Sequence, residues 1–295
     1  MNTVKRVGEG VLGDDQLAWQ GMSVSSGEPV GVDSWSDDAF LANYQEHGYC
    51  VVRSMIPERL CDEVVAAYQT EIRSSEKLFD RIGVLEKEAH RFSAEGHVMN
   101  ALEKVHRLEK EAFSGFTSAL QDVIENRDLL GAHQRVVDAG QGEEALVPVP
   151  VSSFYFEVSN MTVPHADLSY TPEITSLCGS WVALEDIALA AGPLVVVSDS
   201  HRVWRRPPDE QSRRSPDFFA QTMAEVCEEG LEWQLLCVRK GDVVFFDGRT
   251  FHAAFPPRSQ EATRYSLGLH FAPVSRNELV RFYSQCFRDG VPPVL

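Results

Sequence analysis

Apolar residues in the first half of the chain recur at spacings of three and four between residues 57 and 72. They are Leu60, Val64, Ala67, Tyr68 and Ile72. This spacing places them on one face of a helix, and Pro57 suits its first turn because no hydrogen-bonded N–H is needed there. A short helix that ends near Gly48 and a strand at residues 49–53 are predicted before it. The pattern therefore predicts a helix whose apolar face packs on a core.

The segment from about residue 76 to 125 is rich in Glu, Lys, Leu and Ala, which favour helix. Its expected breaks are Gly83 and Gly96. We predict a helical buttress over about residues 57–130 that packs outside a β core, and a coiled coil is less favoured because heptads are not sustained. Four histidines in or after this segment are expected to be surface or packing residues: His90, His97, His106 and His133.

From about residue 147 the pattern changes to short β-rich runs separated by Gly, Pro, Ser and Asp. Most gaps between the runs are too short for the helices that a parallel α/β fold requires. The runs therefore predict a sandwich or barrel, built mostly from residues 147–275. Residues 1 to about 35 carry only isolated apolar positions, which predicts a loosely held arm before a single domain of residues 36–295.

Charge and cysteine spacing narrow the function classes. Acidic residues outnumber basic ones by 44 to 27, a formal net charge of −17, which argues against a general nucleic-acid or anionic-membrane surface. The six cysteines form no CxxC pair, as expected for reduced thiols in a cytoplasmic protein. We expect no targeting or membrane-spanning segment, and there is no GxGxxG after a predicted strand and no GxSxG elbow.

The candidate chemistry begins with His165 and Asp167, which lie two residues apart and would project to the same side of an extended chain. Such a pair is common by chance, but His252 and Arg264 follow downstream. Two histidines and a carboxylate can occupy three facial positions on Fe(II), which leaves the others for a chelating co-substrate and O2. The guanidinium can grip a carboxylate with two hydrogen bonds. This set matches 2-oxoglutarate, a keto acid with a second carboxylate.

Two stretches of the chain resemble the phytanoyl-CoA dioxygenase family of Fe(II)/2-oxoglutarate oxygenases. The first, at residues 47–68, reads HGYCVVRSMIPERLCDEVVAAY. The second extends from about residue 152 to 272 and contains, in the family's order, HAD at 165–167, WVALEDI at 181–187, AGPLVVVSDSHR at 191–202, GDVVFFDGRTFH at 241–252 and RYSLGLHF at 264–271. The ordered set carries the resemblance rather than any single motif.

The resemblance implies a role for six residues. The iron ligands would be His165, Asp167 and His252, the 2-oxoglutarate ligand would be Arg264, and co-substrate neighbours would be Trp181 and Ser266. It also implies a mostly β fold with flanking helices, a double-stranded β-helix of the jelly-roll or cupin-like kind. The chain departs from the family at Ala166, where Gln is frequent, and at SDSH 198–201, where the family often has Pro-Gly-Ser-His. Neither departure changes a ligand.

The implied reaction is oxidation of a small or medium organic substrate, as in a biosynthetic pathway, with release of succinate and CO2. Halogenases related to this family replace the carboxylate ligand with a small residue, so the presence of Asp167 argues against halogenation. Hydroxylation of a C–H bond is the expected outcome. Desaturation, epoxidation and ring formation remain open, as does a CoA-thioester or lipid substrate. The alternative class is a non-catalytic or differently metallated cupin that binds a small ligand.

Four further residues are substrate candidates. Tyr170 and Phe156 could line an apolar pocket, with core packing as an equal alternative. Arg205 and Arg206 belong to an arginine-rich loop at residues 202–214, which could recognise an anionic group or simply be solvated. Two other histidines near the motifs are expected to be structural, namely His201 in a loop and His270 in the core.

Overall fold

The computed structural model describes residues 5–6, 23–140, 145–160, 162, 164–171, 174–207, 209, 224, 226–290 and 292. Its α-helices are α1 (Asp38–His47), α2 (Glu58–Ala67), α3 (Ser114–Ile124), α4 (Arg127–Ala139) and the single turn α5 (Arg276–Glu278). Its strands are β1 (Lys5–Arg6), β2 (Ser23–Ser25), β3 (Gly31–Val32), β4 (Tyr49–Val52), β5 (Leu102–Glu103), β6 (Leu146–Phe156), β7 (Cys178–Ala183), β8 (Leu194–Val197), β9 (Trp233–Leu236), β10 (Val243–Asp247), β11 (His252–Ala254) and β12 (Ser266–Ser275). Two π-helical turns are Tyr68–Ile72 and Leu279–Tyr283.

The strands form two sheets. The larger has the order β3-β4-β10-β7-β12-β6-β5, and the smaller has the order β1-β2-β9-β8-β11. Pairing is antiparallel except between β2 and β9 and between β3 and β4. Among the described strands, neither sheet closes on itself. An apolar layer with members from both sheets, including Trp181, Val244, Val196 and Leu236, lies between them.

Alternation along the strands separates this inner layer from an outer one. On β10, Val244 and Phe246 face the small sheet, whereas Val243 and Phe245 belong to the core beneath the helices. Successive side chains on a strand point to opposite faces, so a strand that is buried on both faces contributes to two apolar layers. The inner faces of both sheets are therefore available to line a cavity.

Helices α1 to α4 cover the outer face of the large sheet. The predicted apolar face of the second helix is confirmed, since Leu60, Val64, Tyr68 and Ile72 are buried in the shared core. The α-helical hydrogen bonding stops at Ala67, and a π-helical turn carries the last two of these residues. Burial of this face supplies the helix with its stability, because a ten-residue helix is marginal on its own.

The predicted helical segment at residues 76–125 is wrong up to residue 113. Residues 73–113 form turns, short bridges, β5 and a 3-10 turn at Val105–Arg107, and α-helix resumes only at Ser114. Gly83 and Gly96 have positive φ angles of 72° and 85°, which end regular structure at each position. Arg81 is fully buried and donates to the carbonyl of Asn100. Such tertiary contacts outweigh the helix preference of the composition.

The predicted N-terminal arm is partly ordered into the sheets. Val24 is buried and β2 pairs with β9, while β3 pairs with β4. Residues 7–22 lie outside the described part of the chain. Among the described residues, no helix has the length and apolar character needed to cross a bilayer.

Candidate metal and co-substrate site

The backbone brings His165 and His252 side by side. The two residues form an antiparallel bridge, in which each backbone N–H donates to the other's carbonyl at 2.9 Å. His165 lies in the segment after β6 of the large sheet, and His252 is the first residue of β11 at the edge of the small sheet. The bridge therefore connects that segment to the edge of the small sheet. Asp167 follows in extended chain and starts a 3-10 turn, Asp167–Ser169. The predicted i, i+2 projection is what the structure shows.

The three side chains form a group of metal-ligand geometry, with all three ligand atoms within 4.8 Å of one another. Asp167 Oδ1 lies 3.5 Å from His165 Nε2 and 3.6 Å from His252 Nε2. The two imidazole centroids are 4.3 Å apart. Two nitrogens and one oxygen at these separations can converge on one ion, and two histidines with one carboxylate are a donor set that Fe(II) accepts with positions left open.

Protonation states in the group suit metal binding. Burial lowers the pKa of His252 to about 4, although the Asp167 charge opposes the shift, so the imidazole is neutral near pH 7. His252 Nδ1 lies 3.1 Å from the Thr250 carbonyl, which can only accept, so Nδ1 carries the proton and Nε2 presents its lone pair. Burial by itself would raise the pKa of Asp167, but His270, His252 and His165 together hold it well below its usual value. Asp167 is therefore a carboxylate.

Arg264 is a buried cation without a carboxylate partner among the described residues. It is 2% exposed, its Nη1 donates to the Gly192 carbonyl at 3.1 Å, and its Nε has no hydrogen-bond partner within the part of the chain that the structure describes. Burial lowers its pKa to about 9, which leaves it protonated near neutral pH. Its guanidinium carbon lies 5.3 Å from the Phe156 ring centroid and 5.7 Å from that of Trp181. A buried cation with an unsatisfied donor is a site for an anion.

One cavity of about 110 Å³ is lined by both the metal-ligand group and Arg264. Its walls come from both sheets and from the segment after β6, and they are mostly apolar. The lining residues outside the four already described are Ile82, Phe154, Phe156, Asn160, Thr162, Trp181, Leu194, Phe246, Ala253, Ala254, Gly268 and His270. A small dicarboxylate could therefore reach from the three ligands to the arginine within one cavity.

The residues predicted to lie near the co-substrate or substrate occupy three different positions. Trp181 and Phe156 are in the cavity wall beside the arginine. Tyr170 is 54% exposed, and its ring meets that of His165 edge-on at 5.8 Å between centroids. Ser266 is fully buried and donates to the backbone carbonyl of Arg264 at 3.1 Å. Ser266 thus supports the arginine's backbone, and other residues form the cavity wall.

The arginine-rich loop lies against the segment that carries Asp167. Trp204 Nε1 donates to Ser169 Oγ at 3.1 Å, and Arg206 donates to the Ile174 carbonyl at 3.1 Å. Arg205 is exposed and donates to carbonyls of its own loop. These contacts place the loop beside Ser169 and Ile174, with Arg205 and Arg206 exposed. The remaining loop arginines, Arg213 and Arg214, lie outside the described residues.

His270 is the functional-site residue that the sequence interpretation missed. It was expected in the core, but it lines the cavity, and its Nε2 lies 3.1 Å from Asp167 Oδ2. Alternation on β12 gives the reason. Positions 264, 266, 268 and 270 share one side of the chain, so a strand that presents Arg264 to the cavity also presents His270 to it.

Solved structures with this fold include SnoK, a non-heme alpha-ketoglutarate-dependent carbocyclase from nogalamycin biosynthesis. It is 19% identical, with a TM-score of 0.59, and the match covers 90% of this chain and 96% of SnoK. The epimerase SnoN from the same biosynthesis, in complex with Fe3+, alpha-ketoglutarate and nogalamycin RO, is 17% identical over 79% of this chain and 82% of its own, with a TM-score of 0.54. AviO1 from Streptomyces viridochromogenes Tue57 is 16% identical over 82% and 96%, with a TM-score of 0.52. At these identities the likeness establishes the fold, and the predicted jelly roll with flanking helices is confirmed.

The family follows from the sequence itself. Residues 44–265 match the family model for phytanoyl-CoA dioxygenase (PhyH), a span that contains all four predicted metal and co-substrate residues. The chain therefore belongs to the phytanoyl-CoA dioxygenase family, and the predicted resemblance is confirmed. A comparison with curated protein sequences finds no match.

Proposed function

We propose that this protein is an Fe(II)- and 2-oxoglutarate-dependent oxygenase that oxidises a C–H bond of a small or medium organic substrate. The observation that carries the proposal is Arg264, a buried cation without a carboxylate partner among the described residues, in the same cavity as the two-histidine, one-carboxylate group. A module that only bound a metal or a neutral ligand would gain nothing from this arginine, and would bear the cost of burying its charge.

Each site residue then has a definite task. His165, Asp167 and His252 would hold Fe(II) through Nε2, Oδ1 and Nε2, and Arg264 would bind the far carboxylate of 2-oxoglutarate. Trp181 and the other aromatic walls keep water away from that ion pair, which strengthens it. When bound, Fe(II) supplies the activation of O2 that couples decarboxylation of 2-oxoglutarate, to succinate and CO2, to oxidation of the substrate.

Hydroxylation is the outcome we propose. Asp167 fills the position that a halide would need, so halogenation is not expected. The structural neighbours include a carbocyclase and an epimerase, and product mass separates these outcomes. A hydroxylated product gains one oxygen atom, a cyclised product loses two hydrogens, and an epimerised product keeps its mass.

The cavity lining points to a substrate whose reacting part is uncharged and largely apolar. Beside the metal group lie Phe154, Phe246 and Leu194, and the charged groups of the cavity already have roles in holding the metal and 2-oxoglutarate. A more polar end of the substrate could extend towards Tyr170, whose ring packs on that of His165, and towards the loop of Arg205 and Arg206, which bonds to the segment after Asp167. We place this substrate in a biosynthetic pathway, in line with the origin of the structural neighbours.

Release of succinate from 2-oxoglutarate tests the proposal without the organic substrate. Oxygenases of this class convert 2-oxoglutarate slowly even when no substrate is oxidised. The protein should release succinate only with Fe(II), 2-oxoglutarate and O2 together, and His165→Ala or His252→Ala should abolish the release. His47→Ala is the matched control, since His47 lies outside the cavity and contacts Ser198 at 3.4 Å. Equal turnover in His165→Ala and the control would refute the assignment.

A further inference from the structure

We infer that His270 is a positioning residue that holds the Asp167 carboxylate so that one oxygen alone faces the metal. The inference rests on the proposed function, because it concerns the same metal group. It assigns a task to a residue that contacts a proposed ligand without being a ligand itself.

The geometry divides the two oxygens of Asp167 between different partners. Oδ1 faces the two ligand imidazoles, at 3.5 Å from His165 Nε2 and 3.6 Å from His252 Nε2. Oδ2 lies 3.1 Å from His270 Nε2. Oδ2 makes no other hydrogen bond in the described part of the chain, and a carboxylate can only accept, so the bond that we infer at this distance has His270 Nε2 as its donor. That bond would hold the carboxylate with Oδ2 towards His270 and Oδ1 towards the two ligand imidazoles.

The imidazole of His270 is itself held in place. Phe154 on β6 meets it edge-on, with 5.0 Å between ring centroids. The β6–β12 pairing shifts register immediately after His270, where Phe271 pairs with Pro150 while His270 pairs with Ser152. Register irregularities of this kind often adjust the direction of a side chain beside an active site. A rigid donor is what a fixed carboxylate needs.

Single-oxygen binding matters because of the number of positions the reaction needs. Three protein ligand atoms leave three positions on a six-coordinate ion, two for the keto acid and one for O2. If Oδ2 were free, the carboxylate could chelate the metal and occupy a position that 2-oxoglutarate requires. His270 would then support two properties, the affinity for the metal and the affinity of the metal-loaded protein for 2-oxoglutarate.

A pair of nearly equal-sized replacements separates this role from core packing. His270→Gln keeps an N–H donor, whereas His270→Leu has a similar volume and no donor. Each purified full-length variant, stripped of metal, would be titrated anaerobically with Fe(II), and then with 2-oxoglutarate once loaded. His47→Ala again serves as the control, and the melting temperature of each metal-free protein reports folding.

We expect His270→Leu to weaken Fe(II) binding by about tenfold or more, as loss of a hydrogen bond to a metal ligand typically does, and to weaken 2-oxoglutarate binding as well. His270→Gln should bind Fe(II) within about threefold of the unmodified protein, which is below the range expected for loss of the hydrogen bond. Equal Fe(II) affinities for the Gln and Leu variants would overturn the inference while leaving the proposed function intact. Failure of the unmodified protein to bind Fe(II) would overturn both.

Discussion

Arg264 has opposite effects on stability and on co-substrate binding. Its guanidinium is buried without a carboxylate partner in the described structure, so it costs stability until an anion binds. Arg264→Gln should therefore leave the metal-free protein at least as stable to urea as the unmodified chain. It should also weaken 2-oxoglutarate binding by about ten- to one-hundredfold, because a hydrogen-bonded charge pair is lost. Calorimetric titration of the metal-loaded protein measures this, and an unchanged affinity would remove Arg264 from the site.

His133 gives the protein a pH-dependent stability. Its ring is buried between Phe245 and Phe271 with Ser180 as its hydrogen-bond partner, and burial lowers its pKa to about 3. An unfolded chain would bind a proton near pH 6.5. The unfolding free energy contributed by His133 is therefore complete above about pH 6.5 and is lost as the pH falls towards 3.

His133→Phe should make the stability of the metal-free protein less dependent on pH. The slope between pH 4 and 6 should decrease by up to about 1.4 kcal/mol per pH unit, the limit for one proton. Urea unfolding at several pH values measures the slope, and the other histidines contribute equally to both proteins. Identical slopes would show that His133 can be protonated in the folded state.

At the scale of single residues, the sequence indicated the proposed metal ligands and Arg264 but not the roles of the residues next to them. Asp167 and His165 follow from alternation, and Arg264 follows from its chemistry and the family's motif order. His270 was missed because its direction depends on which face of β12 points inwards, which follows only once Arg264 is placed. Ser266 was linked to the co-substrate by its nearness in sequence, but its hydroxyl bonds to backbone.

At the scale of secondary-structure elements, a buried carboxylate connects the end of β6 to the π-helical turn Tyr68–Ile72. Glu157, with a side chain 1% exposed, accepts from Tyr68 at 2.8 Å and from Arg73 at 3.3 Å, and its backbone carbonyl accepts from Arg264. His97 Nδ1 lies 3.3 Å from the same carboxylate. The turn and strand therefore share one polar contact beside the co-substrate arginine.

Glu157→Gln should lower the unfolding free energy by about 2 kcal/mol, because hydrogen bonds to a charged group are lost in a buried place. Glu109→Gln is the matched control, since Glu109 is 74% exposed and pairs with Lys77 on the surface, where an ion pair contributes at most about 1 kcal/mol. Urea denaturation compares the two. A loss at Glu157 no greater than that at Glu109 would mean that water reaches the carboxylate.

The sequence predicted the elements unevenly. The amphipathic stripe of α2 and the short β runs after residue 147 were readable because their periods are regular. The segment at residues 73–113 was not, because its turns are set by glycines and by contacts such as that of Arg81 with Asn100, which lie outside any local pattern. Pairing of β2 and β3 with distant strands is equally invisible to local composition.

The whole molecule should be stabilised by its proposed ligands. Metal and 2-oxoglutarate would bind the folded chain only, so each at one hundred times its dissociation constant adds about 2.7 kcal/mol. For a domain of this size, we expect Mn(II) with 2-oxoglutarate to raise the melting temperature by about 5 °C or more. Asp167→Ala should show no such rise. Equal shifts in both proteins would indicate binding elsewhere.

At this scale the sequence indicated a sandwich or barrel of the jelly-roll kind flanked by helices, and the two open sheets with their helical cover agree. The sheet order could not be read from the chain, because non-neighbouring strands such as β12 and β7 pair across long distances in sequence. The position of the metal-ligand group and Arg264 in one cavity follows from that order.

The most direct test of the account is an anaerobic titration of the metal-free protein with Fe(II) and 2-oxoglutarate, followed by visible absorption. The account predicts a weak charge-transfer band that saturates with one Fe(II) per chain, requires 2-oxoglutarate and is absent from His252→Ala. A folded protein that binds neither ligand and shows no band would contradict the account and favour a small-ligand-binding cupin.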